Sequence, residues 1–119
     1  MAVKAYFTMS EIECRCGCGF KGVKSLFLYK MNELRDRFGF PIYPTSWCRC
    51  EKHNKKVGGF KTSSHLKGWA CNISIVSELG KYKIVYRAAK IGFRGIGIAN
   101  TFIHLDDDPD KAFHRMWLY

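Results

Sequence analysis

The segment GIGIANTFIHLD, residues 95–106, decides the fold because it contains two predicted strands, 95–98 and 102–106, joined by a tight turn. Successive side chains of a strand point to opposite faces of the sheet. In the second strand Ile103 and Leu105 therefore share an apolar face. The opposite face carries one aromatic and two titratable side chains: Phe102, His104 and Asp106.

Three helices are predicted from capping residues and apolar spacing. Residues 8–11, TMSE, form a capping-box pattern that opens a short helix. Ser25 is the predicted N-cap of a second helix that runs to about Phe38, and Ser77 is the predicted N-cap of a third. A glycine ends each of the two longer helices: Gly39 and Gly92.

The remaining segments complete an α+β domain. Residues 70–76 predict a strand, 41–46 a short extended piece, and 14–22 and 55–64 loops. The chain has no internal repeat, low-complexity stretch or linker, so residues 1–119 are predicted to form a single domain. Helices and antiparallel strands in this order predict an α+β fold with a small antiparallel sheet and flanking helices.

The charge and hydropathy of the chain limit its partners. Twenty Lys and Arg residues against ten Asp and Glu give a net charge of +10, which favours nucleic acid, a membrane surface or an acidic cell-wall polymer. A solvated basic surface without a particular partner is the alternative that the charge leaves open. No segment approaches the roughly 20 apolar residues that span a bilayer. Residues 1–10 lack the pattern of a signal peptide. We therefore expect synthesis in the cytoplasm, no membrane span, and extracellular action only after release.

Six cysteines leave two interpretations open: Cys14, Cys16, Cys18, Cys48, Cys50 and Cys71. Reduced thiols are expected in a chain without a secretion signal. The runs CRCGC and CRC suggest a thiolate metal site, but structural zinc sites usually separate paired cysteines by two to four residues. A one-residue gap places neighbouring thiols on opposite sides of an extended chain. Buried or loop thiols are therefore the favoured interpretation, and a cysteine-bound zinc is the alternative.

Two histidine segments concentrate the polar chemistry, SSHLKGWACN at residues 63–72 and FIHLD at 102–106. Two imidazoles and an oxygen ligand can hold Zn²⁺ and leave a fourth position for water. The bound ion lowers the pKa of that water toward about 7 and polarises the carbonyl under attack. A nearby carboxylate must still move the proton.

These segments resemble the signatures of the zinc D-Ala-D-Ala carboxypeptidase family. Residues 65–72, HLKGWACN, resemble the family's His-x-x-Gly-x-Ala-x-Asp motif, and residues 95–106 resemble its closing motif. CRCGCG at 14–19 and SWCRC at 46–50 continue the resemblance in order along the chain, as do Trp117 and Tyr119 near its end. The resemblance implies a hedgehog/D-Ala-D-Ala-peptidase-like fold, a Zn²⁺ cofactor and a peptidoglycan peptide as substrate.

The resemblance also implies roles for individual residues. His65 and His104 would be zinc ligands, with Asn72 at the position of the family's aspartate ligand, so the two imidazoles should converge beside residue 72. Arg49 would contact the substrate's carboxylate, and Ser63, in the Ser-x-His segment, is a second substrate-binding residue.

Asp106 is the candidate catalytic carboxylate because it lies two residues beyond His104 on the same strand face. Some relatives carry this acid three residues before the histidine, where this chain has Thr101. Asp107 and Asp108 would substitute only if the strand ended early. The alternative for all three acids is a solvated loop before the following proline.

Asparagine at position 72 keeps the shape of aspartate but lacks its charge. Three explanations stay open: an engineered substitution, a natural relative that has lost catalysis, or a metal still bound through two histidines, the amide oxygen and water. Cys71 is expected to point to the opposite face of the strand. Trp47 stands where the family usually has glycine, and packing is its expected role.

The leading functional prediction is a monomeric zinc-dependent peptidase that cleaves peptidoglycan stem peptides as a carboxypeptidase or an endopeptidase. A phage lysis enzyme is preferred to a housekeeping enzyme, and the positive charge would aid adhesion to an anionic cell wall. The second prediction is a non-catalytic module that binds wall or peptide on the same fold. Nucleic-acid binding explains the charge but not the paired histidine motifs, so no nucleic-acid partner is expected.

Overall fold

The computed structural model describes residues 4–119, which form four helices and one five-stranded sheet. The first three residues of the predicted domain lie outside the described residues. The helices are α1 Met9–Ile12, α2 Ser25–Phe38, α3 Glu51–Lys56 and α4 Glu78–Ile91. The strands are β1 Tyr43–Ser46, β2 Ala70–Ser74, β3 Gly95–Ile98, β4 Phe102–Asp106 and β5 Arg115–Leu118.

The sheet has the order β1-β2-β4-β3-β5, and the α+β prediction is confirmed. Three of the four pairings are antiparallel, and β5 pairs in parallel with β3. The register places Asn72 of β2 directly beside His104 of β4, with Gly97 of β3 on the other side of His104. Residues of three neighbouring strands of the sheet, β2, β4 and β3, therefore lie side by side at His104.

Most of the predicted helix boundaries agree with the structure. Thr8 Oγ1 accepts a hydrogen bond from the N–H of Glu11, and Ser77 Oγ accepts one from Gly80, so both predicted caps are confirmed. The capping role predicted for Ser25 is wrong, because Ser25 is the first residue of α2 and Lys24 holds the cap position. The longer helices end as predicted, at Gly39 and Gly92.

Two elements and one boundary were not predicted. Neither α3 nor β5 was predicted: α3 is a short helix made of polar residues, and β5 is a strand of only four residues. The strand predicted over 70–76 ends at Ser74, and the side chain of Val76 is 92% exposed. Short elements such as these depend on tertiary pairing more than on local pattern.

The apolar face of the sheet packs against the two long helices. Buried side chains of α2 and α4 meet Ile73, Ile103 and Leu105 of the sheet in one core. Cys71 is fully buried in this core, so the prediction that it points away from Asn72 is confirmed. Trp47 is also buried, edge-on to Phe7 and Phe27 with ring centroids 5.0 and 6.4 Å away, which confirms its packing role. The opposite face of the sheet carries Asn72, His104 and Asp106 beside the aromatic side chains of Phe102 and Trp117.

None of the helices formed by residues 4–119 is long and apolar enough to cross a membrane.

Candidate metal centre and substrate cleft

The side chains of His65, Asn72 and His104 meet on the polar face of the sheet. Asn72 Oδ1 lies 3.2 Å from His65 Nε2 and 3.1 Å from His104 Nδ1. The centroids of the two imidazole rings are 5.3 Å apart. Asn72 and His104 come from paired positions on neighbouring strands, while His65 comes from the turn before β2. The structure thus brings together the three residues that the sequence resemblance proposed as metal ligands.

Each imidazole is oriented by an acceptor at its other nitrogen. His65 Nδ1 lies 2.5 Å from the carbonyl oxygen of Trp47, and His104 Nε2 lies 3.0 Å from Asp106 Oδ2. A carbonyl oxygen and a carboxylate only accept hydrogen bonds, so these two nitrogens carry the protons. Each ring therefore directs its unprotonated nitrogen toward Asn72, as metal-binding histidines do.

Burial also keeps His65 neutral. Burial lowers the pKa of His65 to about 3, with smaller contributions from the charges of Arg49 and His104. A neutral imidazole is the form that binds a metal ion. The state of His65 at neutral pH is therefore the metal-binding state.

The donor atoms fit a divalent cation. Bonds of about 2.0–2.2 Å in a tetrahedral zinc site separate neighbouring nitrogen and oxygen ligands by roughly 3.3–3.6 Å. The two separations between Asn72 Oδ1 and the imidazole nitrogens, 3.1 and 3.2 Å, lie close to this range. Two imidazole nitrogens and one oxygen are ordinary zinc donors, but the Asn72 amide supplies one negative charge fewer than aspartate would.

Asp106 lies behind His104, held at both of its oxygens. Its Oδ2 contacts His104 and its Oδ1 lies 2.5 Å from Arg115 Nη2, while the side chain is 1% exposed. Burial raises the pKa of Asp106, but the hydrogen bond from His104 and the charge of Arg115 outweigh burial, and the net pKa is lowered. The carboxylate is therefore ionised and orients the imidazole. Its predicted catalytic role stays a prediction.

The solvated-loop alternative for the three acids is wrong. Asp108 is fully buried, accepting a 2.9 Å hydrogen bond from Ser64 Oγ and lying 3.0 Å from Lys67 Nζ. Asp107 pairs with Lys30 at 2.9 Å. The Asp108 contacts tie the end of β4 to the segment that carries His65, and the Asp107 contact ties it to α2.

Arg49 and Ser63 line a cleft of about 320 Å³ that includes all three candidate metal ligands. Arg49 Nε donates to Ser46 Oγ at 3.0 Å and Nη1 donates to Asn54 Oδ1 at 3.2 Å, which fixes the guanidinium plane. The backbone N–H of Arg49 donates to the carbonyl of His65 at 2.9 Å. Burial lowers the pKa of Arg49. The predicted substrate-binding roles of Arg49 and Ser63 stay predictions, and the geometry places both beside the metal ligands.

The comparisons with known proteins agree with this geometry. The family model described as Peptidase M15 matches residues 5–106. The chain belongs to the peptidase M15 family. The resemblance to zinc D-Ala-D-Ala carboxypeptidases is thereby confirmed. M15 peptidases are metal-dependent and their metal is usually zinc, so the family suggests a metallopeptidase. Comparison with curated proteins found no match.

The M15 match ends before β5, an unpredicted strand that supplies one wall of the cleft. Trp117 of β5 lies over His104, with ring centroids 5.4 Å apart, and Arg115 holds Asp106. The family resemblance includes Trp117 and Tyr119 only as a C-terminal pattern, and no predicted motif includes Arg115. The alternation of residues 115–118 is a signal that could have indicated the strand.

Gly95 and Gly97 of β3 have no Cβ, and this leaves space in the M15 chain for the β5 side chains that pack against β3. A Cβ at Gly97 would meet the Trp117 indole at 2.7–2.8 Å, and a Cβ at Gly95 would meet Asp106 and Arg115 at similar distances. Real Cβ atoms are not found that close to other atoms. The Gly-x-Gly pattern of the closing motif therefore makes room for the indole and for the Asp106–Arg115 pair.

Proposed function

We propose that this M15 chain is a zinc-dependent peptidase that cleaves peptidoglycan stem peptides, as a carboxypeptidase or an endopeptidase. One observation carries the proposal: the unprotonated nitrogens of His65 and His104 both point at Asn72 Oδ1 in the floor of the cleft. The M15 family supports metal-dependent peptide hydrolysis in general. The stem peptide and the bond type belong to the proposal.

His65, Asn72 and His104 would hold the ion. Bound zinc would polarise the scissile carbonyl and lower the pKa of a water molecule. Asp106 would keep His104 in the tautomer that leaves Nδ1 free for the metal, which is the usual task of a carboxylate behind a metal-binding histidine. Among the described residues that line the cleft, Asp106 is also the one carboxylate side chain, which supports its candidacy for proton transfer.

Arg49 would recognise a carboxylate of the peptide. Its guanidinium lies in the cleft wall, already oriented by Ser46 and Asn54. A planar guanidinium can bind a carboxylate through two parallel hydrogen bonds. Ser63 lies beside it, where its hydroxyl accepts a 3.3 Å hydrogen bond from the His65 N–H and retains a proton to donate to substrate.

The net charge of +10 would hold a monomeric enzyme on the anionic polymers of the cell wall. This fits a phage lysis enzyme that reaches the wall after release from the cytoplasm. The adhesion should weaken as salt concentration rises, because screening shortens the range of the attraction.

The test compares the chain as it stands with Asn72→Asp. Purified muropeptides would be incubated with each protein, with and without added zinc, and the products identified by mass spectrometry. We expect zinc-dependent cleavage, with tighter zinc binding in Asn72→Asp because the carboxylate restores a charge. Asn100→Asp, at an exposed turn, adds the same charge away from the cleft and is the matched control. Zinc-loaded proteins that cleave nothing in either form would overturn the proposal.

The Asn72 amide favours a second candidate, a non-catalytic module that binds wall peptide. If the amide were turned about its terminal bond, its NH₂ group would lie between the two imidazoles and could donate one N–H to each unprotonated nitrogen. Such a site would be satisfied without a metal while both imidazoles stay neutral, whereas an ionised aspartate has no proton to donate to them. This candidate predicts that the chain as it stands binds stem peptide in the presence of a chelator, and that cleavage begins only in Asn72→Asp.

A further inference from the structure

Four cysteines, three from the loop over 14–19 and one at the N-cap of α3, lie together, and none of them lines the cleft of the histidine site. The Sγ atoms of Cys14, Cys16, Cys18 and Cys50 all lie within 4.8 Å of one another. Cys16 Sγ is 3.6 Å from both Cys14 Sγ and Cys50 Sγ, and the last two sulfurs are 3.8 Å apart. A tetrahedron of sulfurs about 2.3 Å from a central zinc has edges of about 3.8 Å. The spacing of the sulfurs is therefore that of a tetrathiolate site.

The structure overturns the expectation that one-residue gaps make these thiols diverge. That expectation assumed an extended chain, but residues 14–19 form turns, and the N–H of Gly17 donates to the carbonyl of Cys14 at 3.1 Å. Gly17 and Gly19 have φ values of 79° and 89°, in the left-handed region that glycine adopts without strain. The backbone thus reverses after Cys16, and alternate thiols face the same point.

Backbone N–H groups also point at the sulfurs. The N–H of Cys50 donates to Cys14 Sγ at 3.5 Å, and the N–H of His53 donates to Cys50 Sγ at 3.4 Å. Hydrogen bonds of this kind stabilise the negative charge of metal-bound ligands and hold them in place. Two sulfurs of the cluster therefore accept hydrogen bonds from the backbone.

The other two cysteines have different surroundings. Cys48 is buried, with Sγ 3.5 Å from the carbonyl oxygens of Ile12 and Phe20. Cys71 lies in the apolar core. The chain therefore contains a set of four grouped thiols and two that pack as apolar side chains.

We propose that Cys14, Cys16, Cys18 and Cys50 bind a structural zinc ion, or another divalent cation that prefers four thiolates. The set has no open position for water or substrate, as in structural rather than catalytic zinc sites. It shares no ligand with the site of His65, Asn72 and His104. The proposal stands whether or not the chain cleaves peptide.

Metal bound here would brace one wall of the cleft. The site joins the loop over 14–19 to Cys50, whose neighbour Arg49 lines the cleft and donates its backbone N–H to His65. Structural zinc contributes directly to folding stability. Loss of the ion should therefore lower the stability of the chain and loosen Arg49.

The test uses the whole chain, purified under reducing conditions and loaded with cobalt or zinc. Tetrahedral cobalt bound to thiolates has intense sulfur-to-metal charge-transfer absorption, which imidazole and oxygen ligands do not produce. We expect this absorption in the wild-type chain and in His104→Ala, and its loss in Cys16→Ser and Cys18→Ser, whose thiols are exposed. Cys48→Ala is the matched control and should retain it. X-ray absorption of the zinc form should show zinc–sulfur distances of about 2.3 Å.

Three outcomes would overturn the proposal. The first is a cobalt-loaded wild-type chain that lacks the charge-transfer absorption, and the second is a zinc form in which X-ray absorption detects only nitrogen and oxygen atoms around the metal. The third is free reaction of all four thiols with a thiol reagent in the presence of zinc. The X-ray absorption result on the wild-type chain decides the matter even if a serine variant fails to fold.

Discussion

Asp106 Oδ2 lies 3.0 Å from His104 Nε2, so a carboxylate two residues along the same strand holds the imidazole from behind. Side chains two apart on a strand share a face, and the contact is therefore local to β4. Arg115 of β5 holds the second oxygen of the carboxylate at 2.5 Å. The orientation of a candidate metal ligand thus depends on β5 as well as on its own strand.

Replacing Asp106 by asparagine should weaken zinc binding by about 10- to 100-fold, because the imidazole loses the charge that orients it. A competition titration against a chromogenic chelator measures this change. Asp110→Asn, in an exposed position of the same segment, is the control and should bind zinc normally. If Asp106→Asn lost cleavage while keeping full zinc affinity, the carboxylate would be moving protons rather than positioning His104.

Arg49→Lys should lower kcat/KM about 10-fold or more for peptides with a free carboxylate, since a bidentate charge-assisted contact contributes about 1.5–3 kcal/mol. The lysine keeps the charge and loses the planar pair of donors. The measurement compares a stem peptide with its C-terminal amide, and the wild-type preference for the free acid should diminish in the variant. Arg37→Lys, exposed on α2, is the control. An unchanged preference would exclude Arg49 from carboxylate recognition.

Gly97→Ala should destabilise the fold by about 1–3 kcal/mol, because the new Cβ overlaps the Trp117 indole. Urea unfolding of four proteins measures the effect: wild type, each single variant, and Gly97→Ala combined with Trp117→Ala. In the Trp117→Ala background the glycine substitution should cost much less, since the overlapping ring is gone. Equal costs in both backgrounds would show that the indole does not need the glycine.

Asp108→Asn should lower the free energy of unfolding by about 1–3 kcal/mol near neutral pH, because a buried hydrogen-bonded carboxylate is lost. Burial raises the pKa of Asp108, but the N–H of Asp110 and the contacts with Lys67 and Ser64 outweigh burial, and the net pKa is lowered. A lowered folded-state pKa adds stability above the unfolded value of about 3.9, and this stability disappears as the pH falls through the folded-state pKa.

The difference in free energy of unfolding between wild type and Asp108→Asn should therefore be largest near neutral pH and should decrease in acid below about pH 4. Urea unfolding at a series of pH values checks this. Asp110→Asn removes only an exposed ion pair to Lys67 and should change stability little. A constant difference across the pH series would mean that the charge of Asp108 does not contribute.

Much of the sheet was predictable because its signals are local. The bounds of β3 and β4 agree with the prediction, and so does the apolar face of Ile103 and Leu105. The caps of Thr8 and Ser77 were predictable for the same reason, since a capping side chain bonds a backbone group three residues away.

The failures concern contacts between distant parts of the chain. The grouping of the cysteines was not predicted, because diverging thiols are expected only on an extended backbone and because Cys50 meets Cys14 across 36 residues. Arg115 was missed because β5 pairs in parallel with β3 and no local pattern identifies its partner. For Asp108 a solvated loop stayed open as an alternative, because proximity to a proline does not indicate the Ser64 and Lys67 side chains that contact the carboxylate.

The sequence by itself determined which side chains share a strand face, where the long helices end, and which histidine motifs this chain shares with its family. These properties follow from backbone periods that span a few residues. Only the tertiary structure decided that His65 meets His104, that Arg115 holds Asp106, and that four thiols surround one point. Such contacts depend on loop closure and on the register between strands. The local pattern of side chains along the chain does not specify either of them.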